Sequence, residues 1–170
     1  MPKLRKMLGS ADDEEITALM RAMETQSLPT LAGWALRCAE ERYLPLLPPE
    51  ERFTDAVSAV HRHLSGELPK SGLRPFLAQA RKAAQETEGA VEQAAARAVA
   101  TACAVAQTPT NALGFTFYGA AAAAYHELGL SAGQDCYDAR AAEEFTALRR
   151  LLEAVSVEAE PHPVHLQWNC

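Results

Sequence analysis

The chain has 170 residues, enough for one domain with its own apolar core, and its hydrophobic fraction of 48% is largely Ala with only 6% aromatics. That balance favours packed helices over sheets. A net charge of −6 spread over both signs, with a pI near 5.4, argues against non-specific binding to nucleic acid or to anionic membranes.

The basic start Lys3-Leu4-Arg5-Lys6 is followed by no apolar region of the kind a signal peptide carries. The first helix is expected after Asp12-Asp13-Glu14-Glu15, an arrangement that reads as a capping box with acids at the positive end of the helix dipole. Ile16, Leu19, Met20 and Met23 form its apolar stripe. A second helix opens at Ser27-Leu28-Pro29, puts Leu31, Trp34, Ala35, Cys38 and Leu46 on one side and stops near Pro45. On this reading Glu40, Glu41 and Arg42 form a solvated face. A third follows Pro48-Pro49, buries Phe53, Ala56, Val57, Val60 and Leu64, and ends at Gly66. A shorter fourth runs from Gly72 to Gln85, with Pro75 read as an end marker.

The fifth helix carries Val91, Ala94, Ala95, Ala98, Val99, Ala102, Cys103 and Ala106 at helical spacing. Thr108-Pro109-Thr110 breaks it, with Thr108 as N-cap and Pro109 at the first position of the sixth helix. That helix, Leu113 through Tyr125, is apolar nearly all round and is expected to be core on every side, with Gly114 and Gly119 admitting neighbouring backbones. Its surrounding run, Ala112 to Tyr125, is too short to span a bilayer. Ser131-Ala132-Gly133-Gln134 reads as a second capping box before a long seventh helix with Tyr137, Ala141, Phe145, Leu148, Leu152 and Val155 inward. From residue 158 to 170 prolines forbid a helix. Val164, Leu166 and Trp168 alternate there with His165, Gln167 and Asn169, as in an extended tail packed on the helices. The expected architecture is therefore a single all-α domain: a bundle of about seven helices, a central Ala-rich hairpin and an extended C-terminal tail.

Candidate chemistry is sparse. Cys38, Cys103, Cys136 and Cys170 are far apart, form no CxxC pair and read as free thiols of a reducing cytoplasm. His61 and His63, two apart on a helix, diverge; His61 borders the apolar stripe and His63 is solvated. His162, His165 and Cys170 are too loosely spaced for a zinc site, so no metal and no cofactor is expected. No nucleophile elbow, phosphate loop or HExxH occurs. His126 ends the core helix, where a half-buried imidazole would interact with the dipole. Asp12, Asp13, Glu14 and Glu15 cap a helix and can also form an anionic docking patch. A pocket between helices lined by Trp34, Gln107, Asn111, Tyr118, Tyr125 and His126 is the alternative, and would make the chain a small-molecule-binding regulator or an enzyme. The apolar Ala-rich faces also allow a homo-oligomer.

Three segments carry a resemblance: MPKLRKMLGSADDEEITALMRAMETQS followed by LAGWAL, the central AARAVATACAVAQTPTNALGFTFYGAAAAAY, and the ending QWNC. They resemble bacterial helical immunity proteins with an immunity type-five-like domain, found in polymorphic toxin systems. Relatives carry His on one or both sides of the central turn, where this chain has Gln107 and Asn111; these hydrogen-bond but neither titrate nor bind metal well. The resemblance implies a non-catalytic cytoplasmic protein whose partner is a cognate toxin.

Overall fold

The computed structural model describes residues 3–168. Seven α-helices follow in chain order: α1 Glu14–Glu24, α2 Leu28–Cys38, α3 Glu51–Leu64, α4 Lys70–Glu86, α5 Ala90–Ala104, α6 Asn111–Leu128 and α7 Gln134–Val155. A π-helical turn, Ala39–Tyr43, and a 3₁₀ turn, Leu44–Leu46, extend α2. Among the described residues there is no strand. The all-α expectation holds.

Helix α5 packs most extensively on α6, and the neighbours run α3, α4, α5, α6, α7, α1 around the molecule. Helix α2 touches α3, α5, α6 and α7, so it fills the inside of that series. Six of its eleven residues are buried, Trp34 among them. Trp34 meets Phe115 of α6 edge-on at 5.1 Å, and its indole N–H donates to the Leu148 carbonyl at 3.0 Å. A buried indole needs such a partner.

The alanines of α5 and α6 let the two backbones approach closely over the whole hairpin. At Gly119 the fit is tightest: a Cβ there would lie 2.3 Å from Tyr43 Cζ, whereas at Gly114 the nearest atom would be Thr101 Cγ2 at 3.6 Å. Only Gly119 is therefore demanded by close approach. Helix α6 is not core on every side, because Asn111, Gly114, Phe117 and Tyr118 keep part of their surface in solvent.

Several helix starts differ from the sequence pattern. Asp13 caps α1 through Oδ1, which accepts the Glu15 amide at 2.8 Å; a reciprocal box is not formed. Ser27 caps α2 as expected, through the Thr30 amide. Thr108 does not cap α6 with its hydroxyl. Its carbonyl accepts the Asn111 amide in a tight turn that places Pro109 before the helix, and Asn111 Nδ2 spans the turn to the Ala104 carbonyl at 3.4 Å. Gly133, not Ser131, is the N-cap of α7. Pro75 lies inside α4, which begins at Lys70; the carbonyl it leaves unbonded belongs to Ser71, in an exposed first turn that water can satisfy. Leu64 is 36% exposed rather than core.

Residues 156–168 hold neither helix nor strand and include a turn at 158–159. Gln26, 2% exposed, anchors this segment: its side-chain amide bonds both the N–H and the carbonyl of Val157, and its backbone carbonyl accepts the Val164 amide. Val164, Leu166 and Trp168 pack on the core while His165 and Gln167 are exposed. Asn169 and Cys170 lie outside the described residues.

Candidate functional site

Two of the four acids, Asp12 and Asp13, line a cleft of about 380 Å³ between the N-terminal loop and α7; Glu14 and Glu15 follow them in the first turn of α1. Arg5, Gly9, Ser10, Asp12, Asp13, Asp138, Ala141 and Phe145 line the cleft. Gly9 makes the loop possible: its φ of +110° is left-handed, and a Cβ would meet Phe145 Cζ at 2.5 Å. The four acids divide by task. Asp13 is spent on the α1 cap, and Glu15 pairs with Arg149 at 3.1 Å. Asp12 and Glu14 are exposed.

The alternative set does not share one cavity. Trp34 belongs to the core. The Tyr125 hydroxyl donates to the Arg5 carbonyl at 2.6 Å, and burial raises its pKa. Gln107 and Asn111 flank the α5–α6 turn, half-buried. Tyr118 lines a separate cleft with Arg81 and Arg97. His126 is exposed, not half-buried, and lines a small cleft of about 150 Å³ with Arg42, Glu127, Arg140 and Glu144.

That cleft overlies the most concentrated chemistry in the described chain, which the sequence pattern did not reveal. Glu144 is fully buried on α7. Its carboxylate accepts from Arg42 Nε at 2.9 Å, Arg42 Nη2 at 2.5 Å, the Tyr43 hydroxyl at 2.8 Å and Arg140 Nη2 at 3.3 Å. Arg140 also grips Glu127 with two bonds, at 2.6 and 2.8 Å, and this holds the Glu127 carboxyl below its usual range. The bond to Glu144 raises the Arg42 pKa further; burial drives the Tyr43 phenol well above its ordinary value. Two arginines and two glutamates cancel in charge, and every Glu144 oxygen is occupied. A carboxylate so saturated is a poor general base, because no lone pair is left for a substrate proton. The cluster pins α2 and its π turn to α7. Arg42 thus leaves the solvated face expected of it, while Glu41 stays there, paired with Arg37 at 2.9 Å.

The histidines stay apart. His61 is the exposed one, 3.1 Å from Glu40; His63 is half-buried against the Leu68 carbonyl at 2.8 Å, the reverse of the expected placement. His162 and His165 are exposed. Among the described residues no group of three or more His, Cys, Asp or Glu is placed to hold a metal ion, and no helix is long and apolar enough to cross a membrane.

Residues 21–151 match the family described as Imm-5 like putative immunity protein. The chain belongs to this family. No curated protein and no solved structure matches it. The Imm-5 like span includes the Glu144 cluster, the central hairpin and the Tyr118 cleft. The acidic quartet and the QWNC ending lie outside it.

Proposed function

We propose that the protein is an immunity protein that binds a cognate bacterial toxin in the cytoplasm and neutralises it by occlusion, without catalysis. Membership of the Imm-5 like family carries this reading. Occlusion asks for a rigid scaffold and a shaped, charged surface rather than reacting groups. The saturated Glu144 cluster supplies the rigidity.

The face we assign to the toxin is the cleft rimmed by Asp12, Asp13 and Asp138, with Glu14 and Glu15 beside it. Asp12 and Asp138 are its exposed carboxylates, with exposed Glu14 next to them, and a cationic patch on the toxin is the fitting counterpart. The test is co-expression with the product of any toxin gene that neighbours this one. Wild-type protein is expected to restore growth and to co-purify with the toxin; the triple variant Asp12→Ala, Glu14→Ala, Asp138→Ala is expected to fold normally and lose protection. Absence of both protection and capture by the wild type overturns the function. Full protection by the triple variant overturns the assigned face alone.

A further inference from the structure

One cleft of the described chain is lined by cations with no carboxylate beside them: a cleft of about 260 Å³ between α4, α5 and α6, lined by Arg81, Gln85, Arg97, Thr101, Tyr118 and the floor residues Ala84 and Ala100.

 Of the 16 Lys and Arg side chains, Arg37, Arg42, Arg52, Arg62, Arg140 and Arg149 each hold a carboxylate, which leaves ten without one among the described residues. Arg81 and Arg97 are the two of the ten that share a cleft, and no carboxylate lines it. The Gln85 amide and the Thr101 and Tyr118 hydroxyls make no hydrogen bond within the described chain either. Lys70 and Arg74 fall on the same strip of α4 as Arg81, by helical spacing, and extend the positive potential along it.

We infer that this cleft is a binding site for a small phosphate monoester. Two guanidinium groups on one cleft repel each other until an anion lies between them, and their planar forks suit phosphate oxygens. A dianion matches two arginines, where a carboxylate matches one. The Tyr118 and Thr101 hydroxyls and the Gln85 amide add neutral donors, and Ala84 and Ala100 give an apolar floor on which the rest of the ester lies. A positive cleft on a chain of net charge −6 is a local reversal of sign that selects its ligand by placement rather than by overall attraction. None of its residues belongs to the Asp12 cleft, so this site holds or fails independently of the toxin reading.

The test is titration of the full chain with phenyl phosphate, followed by calorimetry and by amide NMR at constant ionic strength set with chloride, with phenol and benzoate as comparison probes. Phenyl phosphate is expected to saturate and to shift the amides around Arg81, Arg97 and Tyr118; phenol and benzoate are expected to bind at least about tenfold more weakly. Arg81→Gln and Arg97→Gln are each expected to weaken phenyl phosphate about tenfold or more, the ordinary loss for a charge-assisted bond. Arg97→Lys, which keeps the charge and loses the fork, is expected to weaken it as well, and Arg74→Gln, outside the cleft, to leave it within about twofold. Circular dichroism establishes that each variant is folded, and Arg81, being exposed, supplies a variant that does not disturb packing. Failure to saturate, equal loss with Arg74→Gln, or shifts that map elsewhere overturn the site. Tighter binding of benzoate than of phenyl phosphate overturns the ligand class.

Discussion

At the scale of single residues the fold turns on two positions that look ordinary in the sequence. Gly119 and Gly114 sit on one helix, five apart, yet only Gly119 faces a ring. Gly119→Ala pushes a methyl into Tyr43 and is expected to cost about 1–3 kcal/mol in urea unfolding, the usual penalty for overpacking. Gly114→Ala meets open van der Waals contact and is expected to be neutral or to stabilise by up to about 1 kcal/mol, through helix propensity. Equal effects would show that the close approach is not what selects glycine. Glu144 is the second position. Glu144→Leu leaves Arg42 and a buried phenol without their acceptor, while Arg140 keeps Glu127, and is expected to cost about 3 kcal/mol; the partial exposure of Arg42 keeps the loss toward the low end for a broken buried pair. Glu144→Gln keeps the shape and one acceptor oxygen and is expected to cost less. Both are read from urea midpoints at constant slope.

At the scale of elements the π turn explains what the sequence concealed. The sequence pattern sets Arg42 on a solvated face, and plain α-helical spacing counted from buried Cys38 alone would turn Tyr43 away from the side of Cys38. The Leu44 amide instead bonds the Ala39 carbonyl, five residues back, so one extra residue is wound into the turn. Cys38 and Tyr43, five apart, both end up fully buried. A π turn is thus a one-residue insertion into an α-helix. Deleting Glu41, which is exposed, is expected to restore a regular helix, to retain the Tyr43–Glu144 bond and to change stability by no more than about 1 kcal/mol. Deleting Ala121 from the regular α6 turns everything after it by about 100° and is expected to abolish cooperative unfolding. If the Glu41 deletion is as damaging as the Ala121 deletion, the insertion view is wrong. The helices themselves were legible because their stripes run at 3.6 spacing over ten or more residues. The Glu144 cluster was not, since it joins residues 42, 43 and 144 across a phase break that periodicity cannot register. The helix caps misread at Thr108 and Ser131 are places where a backbone turn does the work a side chain was expected to do.

For the molecule as a whole, buried acids in their neutral form tie stability to pH. Burial pushes the Cys38 and Cys103 thiols up to about 12, and raises the Tyr43 phenol beyond its ordinary 10. The unfolded chain releases these protons at lower pH than the folded one, so the folded state holds more protons above about pH 9 and stability falls as pH rises from there toward 12. Urea midpoints measured from pH 8 to 11 are expected to decline, and to decline less in the Cys38→Ala, Cys103→Ala double variant. A flat profile would mean that the thiols ionise without unfolding. These three groups thus make the alkaline side a sensitive one, beside the acid side on which the lowered Glu127 carboxyl protonates.

The pairing of Gln26 with Val157 has a kinetic consequence. A side-chain amide that bonds both the N–H and the carbonyl of one residue imitates a rung of a sheet, and with the Val164 amide on the Gln26 carbonyl it holds a segment that has no ladder of its own. Solvent hydrogens should therefore replace the Val157 and Val164 amide protons together and slowly, while those of exposed Glu158 and His165 exchange freely. Gln26→Ala should release both slow protons at once and leave the helices' exchange unaltered, so that the segment behaves as a latch whose first tooth is Gln26 and whose second is the Trp168 indole N–H on Glu24 at 2.6 Å.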